Sequence, residues 1–350
     1  MKRFGRGNFA KLVFAVAAAV VWSAPAAAQS VADFYKGANV TMLIGSGAGG
    51  GYDTYSRVLA RHMGRHIPGE PHIVPKNMPG GGSIKATNFL YNVAPKDGLV
   101  FAAIFNTIPL LPLVGTAGVK FDVRRLGWLG SIGKHQNICA TWHASPIKTF
   151  EQAKTRQVVV AATGASGNAA VYPTIFNEVL GTKFKVVTGY KASEARLAVT
   201  RGEADGICGM SYQTLLASDP AWIRDRRITI LAQIGLEPHP ALPGVPMALD
   251  MMKNEADRNV LTFLMVPQEM GRPYVAPPDL PAARIAALRS AFMATMKDPA
   301  FIADAEKVRM KIEPIDHAAM DALVARLYAM PQETVARARK LLRPGKKAKR

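Results

Sequence analysis

Short apolar runs recur along the chain, at 40–44, 72–74, 99–104, 138–142, 158–162, 184–187, 204–208 and 228–234. Most are bounded by glycine, proline, asparagine or aspartate, the signature of buried strands. Between them, apolar positions recur every three or four residues. In 53–63 those positions are Tyr55, Val58, Leu59 and Met63, which predicts a helix with one buried face. The same reading predicts helices over 84–91, 169–179 and 192–200, with short ones at 31–36 and 149–153. From about residue 250 the pattern is mostly helical (257–263, 282–296, 299–308, 317–328, 333–342). The exception is an extended, proline-stiffened segment, 274–281, expected to return to the first half of the fold. Strand, loop and helix in alternation predict the α/β class, with parallel sheets covered by helices.

Three glycine loops follow strands and open helices. The first is Gly45-Ser46-Gly47-Ala48-Gly49-Gly50-Gly51-Tyr52-Asp53, the second Asn77-Met78-Pro79-Gly80-Gly81-Gly82-Ser83, the third Thr163-Gly164-Ala165-Ser166-Gly167-Asn168. Glycines let backbone N–H groups converge, and a helix N-terminus adds positive potential, so such loops suit an anion. In a parallel sheet they emerge at the carboxyl ends of the strands, where ligands bind.

Gly45, Gly47 and Gly50 fit the dinucleotide fingerprint, but the second strand runs into Pro75-Lys76-Asn77 without the acidic residue that would hold a ribose. A phosphate P-loop needs Gly-Lys-Ser/Thr, and Gly51-Tyr52-Asp53 stands there instead. Asp53 reads equally as a helix cap and as a residue facing the ligand. Tyr190 and Asn106, at strand ends, are further cleft candidates. His62 and His66 have the i, i+4 spacing of zinc ligands, but Met63 occupies the place of the metalloprotease glutamate. Ser145-Pro146-Ile147-Lys148 lacks the companion motifs of a Ser-x-x-Lys nucleophile. Ser166 is not in a Gly-x-Ser-x-Gly elbow. No acid–base constellation, metal site or cofactor site is expected.

The first 28 residues combine Lys2, Arg3, Arg6 and Lys11, an apolar run over 12–22 and Ala26-Ala27-Ala28. This reads as a cleavable secretory signal peptide. Its removal takes four positive charges off the formal total of +19. Much of the remaining excess is terminal, with a basic tail at 343–350, read as a solvated end. An exported chain without aromatic-rich basic motifs is not expected to bind nucleic acid. In an oxidising compartment, Cys139 and Cys208, each in a strand-like apolar run, predict a disulfide; two separately buried thiols are the alternative.

Taken in order, these motifs resemble the substrate-binding proteins of tripartite tricarboxylate transporters, the Bug-type periplasmic receptors. The resemblance is carried by Gly49-Gly50-x-x-Asp53, Asn77-x-Pro79-Gly80-x-Gly82, Pro95-x-Asp97-Gly98, Tyr190-Lys191 and Gly202-Glu203-x-Asp205-Gly206. It continues through Leu242-Pro243-x-Val245-Pro246 and Ala276-Pro277-x-x-Leu280-Pro281. It implies a two-domain Venus flytrap of the type II periplasmic-binding-protein class, with the ligand cleft between domains. Residues 29–133 plus 250–342 would form domain 1 and 134–249 domain 2.

The resemblance implies a monomeric periplasmic protein, not an enzyme, that passes a small organic carboxylate to integral-membrane transporter subunits. A receptor serving a membrane sensor kinase and an exported enzyme are the alternatives. Expected ligand contacts are Gly49, Gly50, Gly51, Tyr52, Asp53, Gly80, Gly81, Gly82 and Asn106 from the first domain, and Thr163, Gly164, Ser166, Gly167 and Tyr190 from the second. Gly51-Tyr52 departs from the family's usual pair before the aspartate, Ser83 stands where glycine is usual, and Ala192 replaces the glycine of Tyr-Lys-Gly.

Overall fold

The computed structural model describes residue 1 and residues 30–134, 136–165 and 167–342. The expected signal peptide beyond Met1, the basic tail and Ser166 lie outside the described residues.

The strands form two sheets. The first contains β1 (Asn39–Ile44), β2 (His72–Asn77), β3 (Val100–Ala103), β4 (Gly127–Ser131), β10 (Pro273–Ala276) and β11 (Ile315–Asp316), in the order β11-β4-β10-β3-β1-β2. The second contains β5 (Asn137–Trp142), β6 (Val158–Ala162), β7 (Phe184–Thr188), β8 (Gly206–Ser211) and β9 (Ile228–Ile234), in the order β7-β6-β8-β5-β9. Neither sheet is wholly parallel as the alternating pattern predicts. β1 runs parallel to β2 and β3, and β6 parallel to β7 and β8, but β10 is antiparallel to β3 and β4, and β5 is antiparallel to β8 and β9. β5 and β10 are the first strands after each crossing of the chain from one sheet to the other and run against their neighbours; β11, which follows no crossing, is also antiparallel to β4.

Register decides where the loops gather. Ile44 pairs with Asn77 on one side and Ala103 on the other, so the chain leaves β1, β2 and β3 at one edge. Ala162 pairs with Thr188, so the loops after β6 and β7 also emerge together. The strands read as continuous apolar runs because both sheet faces are covered. Val40 and Met42 pack with Tyr55, Val58 and Leu59 of the Gly51–Met63 helix, whereas Leu43 joins Leu90 and Ile104 on the other face.

The segment 250–342 divides between the two cores. Leu288 and Phe292 of the Ala282–Thr295 helix and Phe301 of Pro299–Lys307 pack with Met42 and Tyr55 of the first sheet's layer. Val260, Phe263 and Leu264 of Glu255–Glu269, and Val335 and Ala338 of Gln332–Leu342, pack with Val160, Ile175 and Phe176 of the second. Cys139 and Cys208 are register partners on β5 and β8, joined by an S–S bond of 2.11 Å.

Candidate functional site

A cavity of about 150 Å³ lies where the ends of β1 and β3 face the ends of β6 and β8. Two 13-residue helices begin on it, Gly51–Met63 from the first sheet and Asn168–Leu180 from the second. Their N-caps are Gly50 and Gly167, which have no side chain to satisfy the first N–H groups. Each end carries roughly half a positive charge from the aligned peptide dipoles. Among the described residues two arginines, Arg196 and Arg272, line the cavity and no Asp or Glu does.

Arg272 is 3 % exposed. Its guanidinium lies 3.9 Å from the centroid of the Tyr55 ring and 5.9 Å from that of Tyr52, the cation–π placement that holds a buried cation over aromatic faces. Nη2 donates to Thr214 Oγ1 at 2.5 Å, and Nε has no partner. Among the described residues no carboxylate reaches it. Two other lining residues carry buried side-chain atoms without partners, Asn137 Nδ2 and Thr107 Oγ1. The Tyr172 hydroxyl, which donates to the Leu264 carbonyl (3.1 Å) and accepts from Gln268 Nε2 (2.7 Å), lies beside Asn137. A buried polar group left unpaired costs about 1–3 kcal/mol. All three belong to residues that line this one cavity, which suits it to polar ligand atoms.

Sequence reasoning missed all three. The signal was present: Arg272 is a lone cation between Gly271 and the strand Pro273–Ala276, and Asn137 is the first residue of an otherwise apolar strand. Gly271 itself has φ +55, and a Cβ there would lie 1.4 Å from the Gly133 carbonyl oxygen. The two chain segments that cross between the sheets therefore touch, one residue before the arginine.

The expected contacts separate into groups. Gly51, Tyr52, Asn106, Thr163 and Gly167 line the cavity. Gly80, Gly81, Gly82 and Tyr190 line a neighbouring opening of about 260 Å³, which shares Phe105, Thr163 and Ala192 with it. Gly49, Gly50, Asp53 and Gly164 line neither. Asp53 braces the first loop instead. Its carboxylate accepts from Gly49 N–H, Arg57 Nε and Asn77 Nδ2, each at 2.9 Å. Asn77 Nδ2 also donates to the Ser46 carbonyl, fixing the first loop to the second. Ser83 adds a further tie: its hydroxyl donates to the Gly45 carbonyl (2.9 Å) and accepts from Phe105 N–H (3.1 Å).

Tyr52 forms a wall. Its ring stacks on Phe105 with centroids 4.7 Å apart. Its hydroxyl accepts from Asn106 N–H (3.0 Å) and donates toward the Gly271 carbonyl (3.2 Å). Burial pushes its pKa up to about 12, so it stays a neutral donor at physiological pH.

Across the cleft, Arg196 of the Ala192–Thr200 helix pairs with Asp219 (2.5 Å) and donates to the Gly49 carbonyl (3.2 Å). Gly51 comes so close to the opposite side that a Cβ would lie 2.4 Å from Thr214 Oγ1 and 3.2 Å from Arg272 Nη2. Gly51→Ala is therefore expected to wedge the cleft and weaken ligand binding roughly tenfold, about 1.4 kcal/mol, while unfolding stability changes little. Titration calorimetry beside thermal denaturation checks both parts.

Among the described residues no cluster of His, Cys, Asp or Glu could hold a metal ion, and no helix is long and apolar enough to cross a membrane.

No family model matches the chain. The periplasmic binding protein BugD superimposes with a TM-score of 0.71 at 18 % identity, covering 87 % of this chain and 98 % of that one. The fold is that of the Bug and TctC periplasmic binding proteins. MatC from Rhodopseudomonas palustris, solved with bound malate, has the same two-domain fold, with a TM-score of 0.65 at 16 % identity over 87 % of this chain and 99 % of that one. In sequence, the chain is 26 % identical over 252 residues to a UPF0065 protein encoded in the gbd 5′ region of Cupriavidus necator, covering 69 % of this chain and 72 % of that protein.

Proposed function

We propose that this protein is a periplasmic solute-binding protein that captures a small organic carboxylate and delivers it to the membrane subunits of a tripartite tricarboxylate-type transporter. The observation that carries the reading is Arg272, a buried cation in a cleft cavity with no carboxylate among the described residues to pair it. A ligand carboxylate there would take the free Nε–H, and Asn137 and Thr107 would gain partners. The glycine-capped starts of two helices add positive potential from both sides. That MatC was solved with malate, a carboxylate, agrees with this chemistry.

The two sheets would be the two domains, joined at the crossings marked by Gly133 and Gly271. Closure of one on the other is the motion expected of this class. The Arg196 bond to Gly49 would be one latch of the closed form. The protein would act as a monomer in the periplasm after removal of residues 1–28. Among the described residues the cavity lining has no His, Cys, Asp or Glu to serve as a general base, which favours binding over turnover.

A thermal-shift screen of mono-, di- and tricarboxylates tests this reading. A ligand at 100 times its Kd stabilises the folded form by about 2.7 kcal/mol. A clear rise in melting temperature with at least one carboxylate is expected, and no response across the panel would refute the assignment.

A further inference from the structure

The cavity around Arg272 has one charged end and a largely apolar body. Phe105, Ala161, Ala192, Ala195, Ile207 and Met210 supply much of the wall. Of the two lining arginines, Arg196 is already neutralised by Asp219 at 2.5 Å and spends another N–H on the Gly49 carbonyl. One cation therefore remains unpaired. One unpaired guanidinium matches one carboxylate. A second carboxylate set against the alanine, isoleucine and methionine side chains, away from Arg272 and the two helix starts, would lose its hydration without a full counter-charge. The volume, about 150 Å³, is of the size that holds a benzene ring in an apolar protein cavity.

From these observations, and resting on the carboxylate-binding reading above, we infer that the site selects a monocarboxylate with a compact apolar body, such as an aromatic ring or a branched alkyl group, over di- and tricarboxylates. The carboxylate pairs with Arg272 at the polar end, and the body fills the space between the Phe105 ring and the alanines of the second domain. Those alanines, Ala161 on β6 and Ala192 and Ala195 on the Ala192–Thr200 helix, create the room. A longer side chain at any of them would occupy it.

The test is competitive calorimetry on the full chain as purified, with benzoate, 4-methylbenzoate and 4-methylpentanoate against terephthalate, succinate, malate and citrate. Benzoate or one of its two monocarboxylate companions is expected to bind at least tenfold more tightly than every polycarboxylate. Terephthalate, which differs from 4-methylbenzoate only by a second carboxylate in place of the methyl, is expected to lose at least tenfold against it. Succinate, malate, citrate or terephthalate binding as well as or better than the monocarboxylates would overturn this inference while leaving the carboxylate-receptor assignment standing. No binding by either group would overturn both. A second variant isolates the cavity body: Ala195→Leu should reduce benzoate affinity at least tenfold while circular dichroism stays that of the parent. Unchanged benzoate affinity in a folded Ala195→Leu protein would also overturn the inference.

Discussion

Arg272→Met should raise the Kd for the bound carboxylate by at least about 100-fold. Removing one partner of a buried, hydrogen-bonded charge pair costs roughly 2–5 kcal/mol, and each 1.4 kcal/mol is a factor of ten. The ligand-free variant should be no less stable than the parent, because a buried cation without a carboxylate carries an uncompensated desolvation cost. Met also keeps contact with the Tyr55 ring. Arg272→Lys should fail nearly as badly, since an ammonium at that position cannot reproduce both the bond to Thr214 Oγ1 and the second N–H direction of the guanidinium. Calorimetric titration together with thermal denaturation separates the two effects. Parental affinity in a folded Arg272→Met protein would place the anion elsewhere.

The second large effect is on stability. The Cys139–Cys208 bond closes a loop across a sequence separation of 69 residues and joins the two strands at the centre of the second sheet. The chain-entropy model assigns such a loop about 4 kcal/mol. At about 2–4 °C per kcal/mol for a chain of this order of size, the Cys139→Ala/Cys208→Ala double variant should melt roughly 10 °C lower. The parent in reductant should move the same way. Both sulfurs sit in buried, apolar surroundings, so alanine introduces no polar group. A melting temperature within 2 °C of the parent would show that the bond contributes little. Because β8 ends at Ser211, which lines the ligand cavity, the double variant also reports whether the second sheet's rigidity matters to affinity.

Much of the architecture was legible because the strands are buried on both faces and their loops are marked by glycine. Runs such as 158–162 and 228–234 coincide with β6 and β9. The helix at 192–200 also coincides, with Ala195, Ala198 and Val199 as its buried positions. Two strands of the first sheet were harder. β4 is Gly-Trp-Leu-Gly-Ser, whose two glycines hide the apolar run, and β10 lies inside a proline-rich segment that reads only as extended. The division of residues 250–342 between two cores was also not legible, because periodicity shows that a helix has a buried face but not which sheet covers it.

The site was legible in its loops and not in its charge. The glycines at 49–51 and 80–82 announce a place where backbone comes close to something. Tyr52 and Asn106 do line the cavity, but the bonds between them engage the tyrosine hydroxyl. Asp53 shows how one motif residue serves two readings until geometry is known: its carboxylate is committed to Gly49, Arg57 and Asn77. Arg272 sits some 220 residues from the first loop in sequence, and only the crossing beside Gly133 and Gly271 brings it beneath the helix that loop begins.

The most direct measurement is a crystal structure of the protein with the carboxylate that gives the largest thermal shift. The expected result is a carboxylate oxygen within about 3 Å of an Arg272 nitrogen, with Asn137 or Thr107 bonded to the ligand and the cleft closed over it. A carboxylate held away from Arg272, on the outer Gly80–Gly82 opening alone or on the protein surface, would contradict the assignment of this cavity as the binding site.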